Sequence, residues 1–255
     1  NITTIGEKAF YESAITSVYL PKATTISAYA FTACFELETV NLPVATTIED
    51  YTFRECYSLS DIAFPLVTTI GEGAFRLYDD GVYGYLSKNM KEIDLSNVTS
   101  LGKGAFYGVS TLEKVILSDE LEVLPERCFY YCEGLKEINI PSALKAIEDE
   151  ALYRTAIEDL TLPEGVTTIG SSIFNRSYYE SSDLKTLTLP STLRSIASDA
   201  FASCGNLTDV YLYRIIPPTT AMGFNEDITL HVPAISLLDY KLSDTWNHID
   251  NIVPI

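Results

Sequence analysis

Apolar residues recur along this chain with a period of about 22 positions. One column consists of an aromatic residue, or in one case leucine, at intervals of 21, 22, 22, 31, 23, 23, 22 and 27 residues. A second column of isoleucine or leucine lies five positions before the first and keeps the same intervals. Because a fixed period of this length is the signature of a repeat architecture, the pattern predicts nine copies of one structural unit. The first column, the anchors, is Phe10, Phe31, Phe53, Phe75, Phe106, Phe129, Leu152, Phe174 and Phe201, and the second is Ile5, Ile26, Ile48, Ile70, Leu101, Leu124, Ile147, Ile169 and Ile196.

Each copy also holds an apolar triplet of the form L-x-x-[VIL]-x-[LIF], for example Leu37, Val40 and Leu42. Its last two apolar positions alternate with outward ones, which predicts a short strand with one side on a core. Proline follows six of these triplets and ends the strand because it has no N–H to donate. These prolines are Pro21, Pro43, Pro65, Pro141, Pro163 and Pro190.

The residues around the aliphatic column indicate two further elements. A Thr-Thr pair precedes it in several copies, as at Thr24 and Thr25, and suits a second short extended segment. About one helical turn carrying the anchor should follow, because five copies place an acid near its start, where a helix N-terminus favours negative charge. The position directly after the aliphatic residue is glycine in four copies but Pro125 in another, so it needs no positive φ, and glycine there predicts close packing or capping. The acids are Glu7, Asp50, Glu72, Glu126 and Asp149, and the glycines are Gly6, Gly71, Gly102 and Gly170.

One such unit cannot close a core alone, whereas stacked units bury their apolar columns together. Parallel strands of successive coils would pair at about 4.8 Å, so nine coils would form a rod on the order of 45 Å long. The expected fold is therefore a repeat solenoid with a parallel β-sheet on one face and short strands and helical turns opposite.

The skeleton of ISAYAFTACFELETVNLP (residues 26–43) resembles the BspA-type leucine-rich repeat. The resemblance covers about Ile2 to Tyr213, although proline or serine stands where commoner leucine-rich repeats have asparagine. The segment from Ile228 to Ile255 is similar to the strand, helix and final strand that end such proteins. It predicts nine repeats over residues 1–213 and a small C-terminal cap over residues 214–255. Four cap residues would cover the last coil: Trp246, Tyr240, Leu237 and Ile249.

The resemblance implies an exported protein at the surface of a host-associated bacterium or protist, which binds host or matrix proteins or other cells. The chain starts at Asn1 inside a repeat, so we expect further N-terminal residues before it, including any export signal. The first coil would then present unpaired strand groups and apolar side chains, which predicts self-association through that end.

Composition excludes several classes of protein. The chain has 255 residues, 47% of them hydrophobic and 20% charged, which is unlike a disordered or collagen-like sequence. Its 17 Lys and Arg residues against 35 Asp and Glu residues give a net charge of −18, which repels a phosphate backbone. We therefore expect no nucleic-acid partner. No run of eighteen apolar residues occurs, so no membrane span is expected.

Few residues suggest catalysis. Four of the five cysteines lie three residues after the anchor, at an inward position of the repeat, and Cys128 lies at the alanine position; this predicts reduced, buried thiols rather than disulfides or zinc ligands. His231 and His248 are the only histidines, and the common nucleotide-binding, hydrolase and metalloprotease motifs are missing from the sequence. We expect no enzyme and no cofactor. The cysteines are Cys34, Cys56, Cys128, Cys132 and Cys204.

Outward positions of the strands carry mostly acids, with Lys114 as the one residue of opposite charge. The simplest interpretation is a solvated sheet face that discourages edge pairing. Carboxylates on neighbouring strands could also approach to about 5 Å, as in a retaining glycosidase, or collect Ca²⁺. This acidic stripe is a candidate ligand-binding surface. Its residues are Asp61, Glu92, Asp94, Glu137, Asp159 and Asp209.

Two copies are longer than the rest at the same place, between the anchor and the strand. The insertions are LYDDGVYGYLSKN (residues 77–89) and NRSYYESSD (residues 175–183), and equivalent positions of a solenoid lie on one rim. Tyrosine is enriched where proteins touch partners, although a tolerated surface insertion would explain both loops as well. The candidate binding residues are Tyr78, Tyr83, Tyr85, Tyr178 and Tyr179.

Together these features favour a non-enzymatic surface adhesion or recognition module, which binds a protein or glycan through the acidic sheet face and the tyrosine-bearing rim loops. One alternative is a glycan-active or cation-dependent enzyme that uses carboxylates of the sheet face. Another is a structural spacer for a missing N-terminal domain.

Overall fold

The computed structural model describes residues 2–78, 90–175, 181–218 and 223–255. It shows a parallel β-solenoid of about ten turns with very little helix. Each turn, called a coil here, runs from one residue of the aliphatic column to the residue before the next. The solenoid and its parallel strands confirm the expected fold class.

Strands are numbered in chain order. The first ten are β1 (Thr4–Ile5), β2 (Ser17–Tyr19), β3 (Thr25–Ile26), β4 (Thr39–Asn41), β5 (Thr47–Ile48), β6 (Asp61–Ala63), β7 (Thr69–Ile70), β8 (Glu92–Leu95), β9 (Ser100–Leu101) and β10 (Lys114–Leu117). The others are β11 (Val123–Leu124), β12 (Glu137–Ile138), β13 (Ala146–Ile147), β14 (Asp159–Thr161), β15 (Thr168–Ile169), β16 (Thr186–Leu189), β17 (Ser195–Ile196), β18 (Asp209–Leu212), β19 (Thr229–Val232) and β20 (Asn251–Pro254). A short 3-10 helix (Ala234–Ser236) and helix α1 (Leu237–Leu242) lie between β19 and β20.

The strands form two ribbons along the rod. The odd-numbered strands from β1 to β17 make the first ribbon, and the even-numbered strands from β2 to β18, followed by β19 and β20, make the second. Equivalent residues pair in parallel, as Ile5 pairs with Ile26 and Val18 pairs with Val40. Within the described residues the first ribbon is interrupted between β9 and β11, and the second between β6 and β8 and between β12 and β14.

The anchor column fills the interior as a stack of aromatic rings. Successive ring centroids from Phe10 to Phe129 lie 5.0–5.6 Å apart, close to the strand spacing of about 4.8 Å that sets the repeat. The anchors after Phe10 are all buried, including Leu152, which interrupts the stack of rings. At the C-terminal end Phe224 stacks on Phe201 at 5.2 Å. The predicted inward position of the anchors is therefore confirmed.

The prediction of a helical turn around each anchor was wrong. These segments are consecutive tight turns. The residue two positions before the anchor has positive φ in the first eight coils, and among the described residues the one two positions after it has positive φ in six; around Phe53 these are Tyr51 (φ 55°) and Glu55 (φ 60°). A left-handed residue cannot continue a right-handed helix. The sequence hid this geometry because most such residues are not glycine. The others are Lys8, Glu12, Tyr29, Ala33, Gly73, Gly104, Gly108, Arg127, Tyr131, Glu150, Arg154 and Ser172.

Hydrogen bonds between coils explain these turns. Amides at the anchor and two positions to either side donate to carbonyls of the next coil; the Phe53 N–H, for example, donates to Ala74 O at 2.7 Å. The amides between them bond within their own turn, as the Arg54 N–H does to Tyr51 O at 3.2 Å. Each positive φ costs about 1–2 kcal/mol in a residue other than glycine. The turns offset this cost because they direct alternate amides at carbonyls of the neighbouring coil.

Two of the acids after the aliphatic column, Asp50 and Asp149, bond the next coil rather than capping helices as the sequence suggested. Asp50 Oδ1 accepts the Glu72 N–H at 2.7 Å, and Asp149 Oδ1 accepts the Ser171 N–H at the same distance. The adjoining glycine position has no positive φ, as predicted. A Cβ at Gly71 would lie 2.4 Å from Asp50 Oδ1, so close packing excludes a side chain there.

The C-terminal segment closes one end of the rod. The Trp246 indole N–H donates to Pro218 O at 2.8 Å, and its ring centroid lies 6.2 Å from that of Phe224. The division of the chain at residue 213 stays a prediction, because the anchor stack itself continues to Phe224. All four residues expected to cover the last coil pack against the core: Trp246, Tyr240, Leu237 and Ile249.

Among the described residues, no helix has both the length and the apolar character that a bilayer span requires.

Candidate functional site

The six carboxylates of the predicted acidic stripe all lie on the second ribbon. Five of them are exposed and Asp209 is half-buried. His231 Nε2 lies 2.9 Å from Asp209 Oδ1, and this hydrogen bond lowers the pKa of the Asp209 carboxyl. The His231 ring also stacks on Tyr211, with centroids 4.2 Å apart. Their use in ligand binding stays a prediction.

The stripe is less uniformly acidic than its strand residues suggest. The position before each strand alternates in charge over five coils, and Lys185 Nζ lies 2.6 Å from Glu158 Oε2. Lys114 Nζ lies 3.4 Å from Glu137 Oε2. The neighbouring lysine lowers the pKa of the Glu158 carboxyl. The alternating residues are visible in the sequence once the register is known: Lys91, Glu113, Lys136, Glu158 and Lys185.

Uncompensated acids concentrate instead at the break between β6 and β8. The strands there flank a cleft of about 370 Å³, a volume within the range of ligand sites. Asp61 lies on one wall, and Glu92 and Asp94 lie on the other. Ile62 and Ile93 line it too. The structure therefore brings three of the six predicted carboxylates together, whereas Glu137, Asp159 and Asp209 lie on later coils.

A second depression adjoins this cleft and shares Pro65, Ser96 and Asn97 with it. Its volume is about 630 Å³, and its lining includes the exposed apolar side chains of Leu66 and Ile116. This depression spans the third to sixth coils and offers apolar contacts beside the acidic cleft.

The tight turns that carry the anchors form one side of the rod, called the turn face here. This face carries a surface that the sequence interpretation missed. Tyr107 stacks on Tyr130 at 4.7 Å between centroids, and Tyr130 stacks on Tyr153 at 4.5 Å. The Arg76 guanidinium lies between two rings, 4.4 Å from the centroid of Tyr78 and 4.3 Å from that of Tyr107. We call this the Tyr–Arg surface; Arg127 is exposed and its other side chains are half-buried. It consists of Tyr78, Tyr107, Tyr130, Tyr131, Tyr153, Arg54, Arg76, Arg127 and Arg154.

Burial and ion pairs set the chemistry of this surface. Burial raises the pKa values of Tyr107, Tyr130 and Tyr153, so these side chains are neutral hydrogen-bonding groups near pH 7. Arg154 Nε lies 3.1 Å from Glu133 Oε1. The ion pair and the Tyr131 ring, 4.8 Å from its guanidinium carbon, hold this arginine flat against the aromatic stack. A sequence signal existed, because tyrosine follows the anchor directly in three successive coils.

Tyr78 is the one predicted rim tyrosine among the described residues, and it joins the Tyr–Arg surface. Its ring centroid lies 6.3 Å from that of Tyr107. Four further predicted binding residues lie outside the described residues: Tyr83, Tyr85, Tyr178 and Tyr179.

The cysteines are free and buried, as predicted. The Cys56 thiol donates to Phe31 O at 3.2 Å, and Cys132 donates to Phe106 O at the same distance, so each thiol bonds the anchor of the preceding coil. Burial raises the pKa of Cys204 to about 11, which leaves its thiol protonated near pH 7. In the described part of the chain, no three His, Cys, Asp or Glu side chains converge as a metal site would require.

Short parallel strands, one per repeat in each ribbon, and inward leucine and isoleucine columns define a leucine-rich-repeat solenoid. The turn geometry and the proline after the strand distinguish it from the commoner repeats with asparagine. This chain belongs to the BspA-type leucine-rich repeat family: the family model, described as BspA type leucine-rich repeat region (6 copies), matches residues 1–80, 83–180 and 172–226.

Several solved structures resemble this one, including the following two. A leucine-rich repeat protein from Bacteroides ovatus is 23% identical with a TM-score of 0.62, over 100% of this chain and 70% of that chain. A leucine-rich cell surface protein from Faecalibacterium prausnitzii is 18% identical with a TM-score of 0.55, over 94% of this chain and 88% of that chain. At these identities the likeness shows the fold. No curated protein matches the chain.

Proposed function

We propose that this protein is a non-enzymatic recognition module of the cell surface, which binds a host or matrix protein or a glycan. The Tyr–Arg surface carries the proposal. Tyrosine and arginine are the residue types, with tryptophan, that dominate interaction hot spots, because their large rigid surfaces combine apolar contact with hydrogen bonding.

The arrangement of the Tyr–Arg surface supports binding over a purely structural role. Ring stacking and ion pairs orient its side chains before a partner arrives, so less side-chain entropy is lost on binding. Tyr107 and Tyr130 remain half-buried rather than enclosed, so part of each residue is accessible to a partner. The surface spans several consecutive coils, which suits an extended partner contacted at several points.

Membership of the BspA-type family and the F. prausnitzii neighbour, which is described as a cell surface protein, support an extracellular or cell-surface location. The acidic stripe and the rim tyrosines are proposed as additional contact residues. Self-association through the first coil and a role as a spacer remain predictions.

The test pairs two double variants. Tyr107→Ser with Tyr130→Ser removes two rings from the centre of the Tyr–Arg surface, and Tyr19→Ser with Tyr213→Ser removes two exposed tyrosines elsewhere. Binding is measured on purified extracellular-matrix proteins and on a glycan array, with thermal unfolding of each variant as the folding control. We expect the first double variant to weaken binding about tenfold or more, because each hot-spot side chain contributes at least about 2 kcal/mol, and the second to leave it within about twofold.

Two results would contradict the proposal. One is that the wild-type protein binds none of the matrix proteins or glycans. The other is that a folded Tyr107→Ser, Tyr130→Ser variant retains full binding, which would show that the Tyr–Arg surface does not contribute to binding.

A glycan-active or cation-dependent enzyme is the second candidate, and the specific observation in its favour is the cleft that gathers Asp61, Glu92 and Asp94. Hydrolysis products detected by mass spectrometry after incubation with the array glycans, with and without Ca²⁺, would support it. Asp61→Asn should then abolish turnover. If every glycan stays intact, the enzyme hypothesis fails.

A further inference from the structure

We propose that the cleft between β6 and β8 binds an extended, basic peptide segment of a partner protein by strand addition. The proposal rests on the recognition function above but concerns the sheet face, so it can fail while the Tyr–Arg surface still binds. It assigns one class of partner and one mode of binding to the acidic residues of the third and fourth coils.

Unpaired backbone groups on both walls of the cleft carry the argument. On β6, the Asp61 N–H donates to Glu38 O at 3.2 Å and Ala63 O accepts from the Leu42 N–H at 2.8 Å, so these residues face β4. Because alternate residues of a strand direct their amides to opposite sides, the N–H and C=O of Ile62 face the cleft.

The same geometry holds on the opposite wall. Lys91 O accepts the N–H of Glu113 at 2.7 Å and of Lys114 at 3.1 Å, so the odd-numbered residues of β8 face β10. The backbone groups of Glu92 and Asp94 therefore face the cleft. Within the described residues β6 and β8 belong to separate sheets, so the cleft offers a hydrogen-bonding edge on each side.

The first ribbon and the anchor stack are closed at this junction, so the cleft has a fixed floor. β5 pairs with β7 in the first ribbon, and Phe53 stacks on Phe75 at 5.4 Å. Ile93 and Phe64 are buried beneath the cleft. An added segment would thus meet a pre-formed site, which reduces the entropy cost of binding.

Charge and side-chain pattern indicate what the segment contains. In the added strand, the side chain of the residue level with Asp61 and Glu92 would point outward between their two carboxylates. The side chain two residues later, level with Asp94, would point outward beside a third carboxylate. The residue between them points inward, level with Ile62 and Ile93. The cleft therefore fits the pattern basic, β-branched apolar, basic, since opposite charges and alternate apolar side chains provide specificity in strand addition.

The experiment uses a fluorescent peptide with the sequence Gly-Thr-Lys-Val-Lys-Thr-Gly and measures its binding to the full chain by fluorescence anisotropy. Its central valine amide would donate to β8. We expect N-methylation of that amide to weaken binding about threefold to tenfold, the effect of one hydrogen bond. N-methylation of the first glycine is the matched control, with a change below about twofold. Replacing both lysines with glutamate should abolish binding.

Protein variants separate the cleft from general attraction to an acidic protein. Asp61→Asn, Glu92→Gln and Asp94→Asn together should weaken binding about tenfold. The control triple variant Glu36→Gln, Glu38→Gln and Glu122→Gln changes net charge equally at exposed sites outside the cleft, and should weaken it less than about twofold.

Hydrogen exchange provides the decisive reading. The Ile62 and Asp94 amides should become protected when the lysine peptide is present, because both would donate to its backbone. Equal binding of the valine-methylated peptide, or no new protection at these amides, would overturn strand addition. Strand addition is also wrong if no peptide binds while the Tyr–Arg surface still recognises its partner. If that partner also fails to bind, the proposed function falls as well.

Discussion

The third and fourth coils meet differently on the two sides of the rod. On the turn face, Phe53 stacks on Phe75 and the Phe53 N–H reaches Ala74 O, as at every neighbouring junction of the stack. On the sheet face, β6 and β8 are unpaired within the described residues. The fourth coil holds the longer insertion (residues 77–89), between its turn and its strand.

The two sides of this junction belong to parts of the fourth coil that lie before and after the insertion. The turn of the fourth coil comes before the insertion and keeps its contacts with the third coil. Strand β8 comes after the insertion and, within the described residues, pairs with β10 over Glu92 to Leu95 and not with β6. The junction is therefore closed at the turns and open at the strands, where the cleft lies.

The largest expected effect on stability concerns the closed side of this junction, where the anchor rings stack. Phe53→Ala should lower the free energy of unfolding by about 3–5 kcal/mol, because it removes a buried ring and leaves a cavity in the stack. The control is Phe35→Ala, at a phenylalanine that is 48% exposed, where we expect a loss below about 1 kcal/mol. Urea denaturation measures both, and equal losses would contradict the view that the anchor stack holds this junction together.

A smaller effect compares the paired and unpaired parts of the second ribbon. Val40 and Ile62 occupy the same repeat position, but Val40 is buried in β4 and Ile62 is half-buried at the open edge of β6. Val40→Ala should cost about 2 kcal/mol and Ile62→Ala about 1 kcal/mol, although the second removes more carbon atoms. If the Ile62 variant is the less stable one in urea, the junction is closed in solution.

The smallest effect tests the turns. Ala33 has φ of 59° and Ala30, three residues earlier, has no positive φ; both are buried. Ala33→Gly should stabilise by about 0.5–1 kcal/mol, because it relieves a left-handed conformation at a smaller cost in unfolded-state entropy. Ala30→Gly should destabilise by about 1 kcal/mol. Differential scanning calorimetry distinguishes the two, and shifts of equal sign would show that the turn geometry is not as described.

Much of the fold was predictable because the same choice of residues is repeated nine times. A single phenylalanine five positions after an isoleucine indicates little, but the whole column fixes which side chains face inward. The buried thiol of Cys56 and the parallel pairing of Val18 with Val40 follow directly from that register.

The candidate site was predictable only in part. The acids Asp61, Glu92 and Asp94 were identified as outward residues, yet their grouping at a cleft depends on the missing pairing between β6 and β8. The lysines of the alternating column, such as Lys185, were overlooked because they precede the strand. Three tyrosines of the Tyr–Arg surface directly follow their anchors in the sequence, but their contacts with the arginines form across coils and required the structure.

The sequence by itself determined the period, the inward columns and the family of this protein, because burial of apolar side chains imposes a repeat that can be read position by position. The tertiary structure alone decided the left-handed turns at residues such as Tyr51, the carboxylates that bond a neighbouring coil, and the opening between β6 and β8. These features depend on contacts between residues about 22 positions apart, where the hydrogen bonds gained from the next coil outweigh local backbone preference.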